Sequence, residues 1–237
     1  MDLLFTVIVL TLLSGLAMPF GALLAKIEHL HPSWLKSELR HSIIALGAGA
    51  LLSAVALVLV PEGTSNLSPL VACLALTLGG VGFMLLDILL KKINSPASQL
   101  VAMLADFIPE SIALGAAFAT GSSSAYLIAL LIALQNLPEG FNAYRELKDG
   151  SSMKSVIIIL SFVGLALLGS LSGILGYTFL YDLPKVVSLI MLLASGGILY
   201  SIFQDIAPQV RLEKHWSPPL WAVFGFMFGM LGHMLVH

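Results

Sequence analysis

Residues 156–169 read VIIILSFVGLALLG, an apolar run with no charged residue and no alternation of polar with apolar positions. A strand of a membrane barrel would alternate over about ten residues. In lipid a segment that does not alternate must satisfy its backbone within itself, and only a helix does that. The run extends over 155–180, long enough to cross about 30 Å of hydrocarbon. Seven further runs bounded by charges or turn residues fall at 3–25, 42–61, 68–90, 98–119, 124–144, 186–206 and 217–236. The expected fold is an all-α membrane protein of eight transmembrane helices, one polytopic domain over residues 1–237.

Composition agrees. Of 237 residues, 58% are hydrophobic and 10% charged, against about 25% charged in a soluble domain. Mean hydropathy is +1.00. Eleven Lys and Arg against 13 Asp and Glu leave no basic surface for nucleic acid. The single cysteine, Cys73, excludes disulfides and thiolate metal clusters. The start, MDLLFTVIVLTLLSG, carries an acid and no base before its apolar run, unlike a cleaved signal peptide. It is read as the first span.

Charge sorts the loops. Lys26, Lys36 and Arg40 follow span 1, and Lys91 and Lys92 follow span 3. Arg145, Lys148 and Lys154 surround the loop after span 5, and Arg211 and Lys214 follow span 7. Only Lys185 of the 11 basic residues falls on the other side. The positive-inside rule makes the basic side cytoplasmic and puts both termini outside.

Acidic residues inside such runs are costly and therefore informative. Asp87, Asp205 and Glu62 lie near span ends, where capping or anchoring accounts for them. Asp106, Glu110 and Glu139 lie well inside, in DFIPES (106–111) and QNLPEG (135–140), with Gln135 and Asn136 beside them. Asp106 and Glu110 share one helix face, as do Gln135 and Glu139. Pro109 and Pro138 cannot donate to the carbonyls of Ala105 and Leu134. Spans 4 and 5 are joined by the short turn TGSSSA, so these groups can meet near the midplane as an all-oxygen cation site. Carboxylates packed together there need a cation or protons to neutralise them. The alternative is a pair of kinked helices whose acids bond one another while protonated. Pro61-Glu62 ends span 2 outside and Pro208-Gln209 ends span 7 inside, as an inverted repeat of spans 1–3 and 6–8 around a central 4–5 pair would produce.

With these motifs the chain resembles the ZIP (Zrt/Irt-like) family of divalent metal transporters, along essentially its whole length. The stretches GAGALLSAVALVLVPEG of span 2 and ASGGILYSIFQDIAP of span 7 are also similar to that family. The resemblance implies a transport site in spans 4 and 5, where the family carries H-N-x-P-E and [HQ]-[DN]-x-P-E-G. Glu110, Gln135 and Glu139 fall on its liganding positions, and Asp106 replaces a histidine. Phe107 stands where a second site has asparagine, Asn136 where aspartate is frequent, and Gly169 or Ser170 where a span-6 glutamate is frequent. The histidine before the span-2 Pro-Glu and a His-rich cytoplasmic loop are both absent. The resemblance further implies alternating access by movement of the 4–5 core against the other spans.

Other features have simpler readings. His29, His31, His41 and His215 are read as loop residues, and His233 and His237 as interface residues. Trp34, Trp216 and Trp221 are read as interface anchors, the methionines as packing, and GSLSG of span 6 as helix packing. The chain is thus expected to be a divergent ZIP-like carrier, not an enzyme, in a cell membrane, with economy of length favouring a bacterial inner membrane. It would move a divalent cation toward the cytoplasm, with Asp106, Glu110, Gln135, Glu139 and Asn136 as candidate metal residues. Zn²⁺, Fe²⁺ and Mn²⁺ are the candidate ions, since oxygen ligands without imidazole suit hard or borderline metals. No prosthetic group is expected; the partners are the metal and the bilayer, with a homodimer left open. The competing expectations are a proton-coupled carrier of an organic cation and a metal-binding membrane protein that does not transport.

Overall fold

The computed structural model describes residues 3–28, 33–93, 96–122, 124–211 and 216–236. His29, His31, His215 and His237 lie outside the described residues. Among the described residues there is no strand. Span 1 is α1 (Leu3–Glu28). Span 2 is α2 (Ser33–Ala54), a π-turn (Val55–Leu59) and α3 (Val60–Thr64). Spans 3 to 6 are α4 (Pro69–Ile93), α5 (Pro96–Ala119), α6 (Ala125–Gly150) and α7 (Ser155–Phe179). Span 7 is α8 (Pro184–Ser201) followed by a second π-turn (Ile202–Ile206), and span 8 is α9 (Ser217–Val236).

Seven of the eight spans are long and apolar enough to cross a membrane, which makes this a multi-pass membrane protein by length and composition. The exception is span 5. α6 has the length, at 26 residues or about 39 Å, but Gln135, Asn136, Glu139 and its charged last turns lower its apolarity. It tolerates them because it is enclosed by α1, α2, α5, α7 and α9 and so faces protein on most sides. α4, by contrast, lies at the periphery and exposes Leu74, Leu78, Leu85 and Leu89 on its outer side.

Two helices run beyond their apolar stretches. α2 begins at Ser33, where the sequence suggests loop until 42, and α6 continues to Gly150 rather than ending at 144. Hydropathy marks where a helix leaves the lipid, whereas backbone hydrogen bonding continues through the polar turns beyond.

The two π-turns share one local cause. Pro61 and Pro208 offer no N–H to the residue four back, and the ladder shifts by one residue just ahead of each. Val60 N–H reaches Val55 O, and Ala207 N–H reaches Ile202 O.

Packing falls into matched pairs: α2 against α9 and α4 against α8, then α1 against α6 and α5 against α7. The first two rest on glycines at which backbones touch, since small residues let membrane helices approach closely. A Cβ on Gly49 would stand 1.9 Å from the Ala222 carbonyl, and one on Gly225 2.0 Å from that of Leu46. In the other pair, Gly79 meets the Leu193 carbonyl at 2.0 Å and Gly196 that of Leu76 at 1.9 Å. GSLSG does pack: a Cβ on Gly173 would meet the Thr11 methyl at 2.6 Å.

Candidate functional site

α5 and α6 pass through Pro109 and Pro138 without interruption. Their three deep acids and Gln135 divide between two cavities, and among the described residues no three His, Cys, Asp or Glu side chains are close enough to share a metal ion. Glu110 and Gln135 form the first pair. Both are buried, and the Gln135 amide donates to both carboxylate oxygens of Glu110. They close an apolar crevice of about 10 Å³ lined by Ala54, Val58, Leu59, Leu131 and Ile132, room for about one water.

Asp106 and Glu139 form the second pair, on the wall of a far larger cavity of about 370 Å³. Asp106 lies within electrostatic reach of Asp205, and Glu139 of both Asp106 and Glu110. Toward the ends of α4, α6 and span 7 the cavity is lined by Asp87, Lys91, Asn142, Glu146, Asp205 and Gln209. Asn142 donates to Glu146 at 2.8 Å. Reading the sequence for midplane acids singled out neither Asn142 nor Glu146. Their signal is a continuation of the Glu139 helix face at three and seven residues' distance.

Among the described residues, five side-chain oxygens on or next to these positions are buried without a partner: Asp106 Oδ1, Ser111 Oγ, Gln135 Oε1, Asn136 Oδ1 and Asn142 Oδ1. A buried acceptor left without a donor is unfavourable by about 1–3 kcal/mol. These are oxygen donors, the kind that hard or borderline divalent metals take. Those of Asp106, Asn142 and Gln135 are divided between the cavity and the crevice rather than gathered at one point.

Asn136 is not part of either cavity lining. Its Nδ2 donates to the Ser14 carbonyl of α1 at 3.0 Å. Phe107, which follows Asp106 as Asn136 follows Gln135, is fully buried against Gly15 and Gly169. The space beside the acids is therefore occupied by an aromatic ring.

The two cavities are lined by corresponding residues. Ala54, Val58 and Leu59 precede Pro61 at the same spacings as Ser201, Asp205 and Ile206 precede Pro208. Leu131, Ile132 and Gln135 precede Pro138 as Ala102, Met103 and Asp106 precede Pro109, and Glu139 and Glu110 follow those prolines directly. The first member of each set lines the crevice and its counterpart lines the large cavity, with Gln135 and Glu110 in the crevice and Asp106 and Glu139 in the cavity.

No family model matches the chain, and no curated protein is significantly similar to it.

Proposed function

We propose that the protein carries a divalent metal cation across the bilayer, one ion at a time, through a site built from Asp106, Glu110, Gln135 and Glu139. The observation that carries this reading is the correspondence between the two cavities. An inverted repeat of spans 1–3 and 6–8, with spans 4 and 5 exchanged, gives each side of the membrane an equivalent set of lining residues. A carrier of this kind opens one set while the other is closed. Here the closed set meets at the Glu110–Gln135 hydrogen bond, and the open set exposes Asp106 and Glu139.

Orientation follows from the loops. The open cavity reaches Lys91 and the last turns of α6, on the face where all the basic residues but Lys185 cluster. That face is cytoplasmic by the positive-inside rule, so the described arrangement is inward-open in a cell membrane, with both termini outside. Similarity of the Pro-Glu motifs to the ZIP family supports the same reading. Zn²⁺, Fe²⁺ and Mn²⁺ are all compatible with the oxygen donors, and imidazole is absent from both linings.

One observation favours a second reading. A cavity of about 370 Å³ also has the size of a small-molecule pocket, about 300–1,000 Å³, so an organic cation fits it. Uptake into proteoliposomes with a panel of Zn²⁺, Mn²⁺, Fe²⁺ and a small quaternary amine separates the two. Metal uptake abolished by Glu139→Ala is the expected result. Amine uptake without metal uptake establishes the second reading, and metal binding without flux means a protein that does not transport.

A further inference from the structure

The inner cavity is lined by five carboxylates, those of Asp87, Asp106, Glu139, Glu146 and Asp205, and by one basic side chain, Lys91. Lys91 sits in the last turns of α4 and bridges two elements. Its Nζ donates to Asp87 Oδ2 at 2.8 Å and lies 3.9 Å from Asp205 Oδ1 in the π-turn of span 7. Tyr200 from α8 donates to the same Asp87 oxygen at 3.1 Å. Arg40 acts on Glu146, and among the described residues Lys91 is the basic residue in the cavity lining.

The Lys91 side chain is 57% exposed and that of Asp205 48%. An ion pair so exposed changes an equilibrium constant by a few-fold at most, too little for a clamp between α4 and span 7. The lysine does have the properties of a displaceable counter-ion: a compact charge on a flexible stem, able to leave its carboxylates and return. A pathway that conducts ions must hold them firmly enough to admit them and loosely enough to let them go. Five carboxylates without an internal cation would favour holding.

We propose that Lys91 is a tethered competitor for the transported cation, its ammonium occupying the cavity mouth between Asp87 and Asp205 and weakening the cavity's hold on a divalent ion so that the ion is released. The inference rests on the reading that this cavity receives a divalent metal. Lys91 is a positioning residue for release and is not itself a ligand.

The test is Mn²⁺ binding to the full chain in detergent at low ionic strength, with free Mn²⁺ followed by electron paramagnetic resonance. Lys91→Gln should bind Mn²⁺ about 3- to 5-fold more tightly than the unsubstituted protein, the range of an exposed charge pair. Lys91→Arg should bind as the unsubstituted protein does. In a background with both Asp87→Asn and Asp205→Asn the gain from Lys91→Gln should largely vanish, because the ammonium then has neither of its two carboxylates to neutralise. An undiminished gain in that background, or no gain at all, overturns the proposal. If Mn²⁺ binding responds to Glu139→Gln but not to Lys91→Gln, only this inference fails. If it does not respond to Glu139→Gln, the cation-site reading fails and takes this inference with it.

Discussion

The phenyl ring of Phe107 lies over Gly169 so closely that a Cβ on that glycine would stand 2.1 Å from ring atom Cε1. The pair is reciprocal, because the ring fills space that only a residue without a side chain leaves open. It sits one position beyond Asp106, so a second ion placed next to the candidate site would meet an aromatic ring there. Neither Phe107 nor Gly169 has a side-chain ligand to offer, and Asn136, whose Nδ2 donates to the Ser14 carbonyl, lines neither cavity. A crystal soaked in Mn²⁺ or Zn²⁺ and measured by anomalous scattering should show one metal peak at the midplane. Two peaks about 3.5–4 Å apart, the spacing of a bridged pair, would refute the single-ion site.

Proton linkage follows from charge. Asp106, Glu110 and Glu139 carry three negative charges if all ionise, more than a low-dielectric site holds without a cation or protons. Metal must displace those protons to reach the oxygens. Affinity for metal should therefore fall as pH drops from 8 to 5.5, and loading should release protons. Calorimetry in two buffers of different ionisation heat measures that release, and Asp106→Asn should lessen it. Binding that ignores pH, with no buffer-dependent heat, would place the metal elsewhere.

Accessibility should differ at corresponding positions. Ser201 lines the open cavity and Ala54 the closed crevice, at equal distances before their prolines. In a background with Cys73→Ser, Ser201→Cys should react with a charged thiol reagent and Ala54→Cys should not. Equal reactivity of the two single cysteines would remove the closed outer gate.

Topology has its own check. Ser122, in the α5–α6 turn, donates to Glu62 at 3.2 Å, and Ser151 lies at the far end of α6. Cysteines at Ser122 and Ser151, again without Cys73, should label from opposite sides of the membrane. Labelling from one side would mean that α6 does not span.

Close helix contacts predict where a methyl group is tolerated. Gly49→Ala drives a Cβ into the Ala222 carbonyl, where backbone must move, and overpacking of this kind is unfavourable by about 1–3 kcal/mol. Gly82 has no atom within 4 Å of its would-be Cβ, so Gly82→Ala should be neutral or slightly stabilising through helix propensity. Thermal unfolding in detergent, with the two variants side by side, reads the difference.

Much of the fold was legible because transfer of a helix into lipid is a local property of its own residues. The runs around Val156–Gly169 and their charged borders placed six of the eight spans within a few residues. The misjudged ends at Ser33 and Gly150 are polar turns, where hydropathy no longer marks the helix. The candidate site was legible in part for a similar reason. An acid beside a proline inside a span is conspicuous, so Asp106, Glu110 and Glu139 could be found without a structure. Asn142 and Glu146 were missed because they fall where the span already grows polar.

The sequence by itself determined that the chain is helical and membrane-embedded, and which of its carboxylates lie deep in their spans. Each of these depends on hydration and backbone satisfaction summed along a single segment. Only the tertiary structure decided how those groups are shared out. It paired Glu110 with Gln135 in a shut crevice, left Asp106 and Glu139 on an open one, turned Asn136 to Ser14, and set Phe107 over Gly169. Those outcomes depend on contacts between helices far apart in the chain, each worth little alone. Hydropathy and spacing carry no record of which helix faces which.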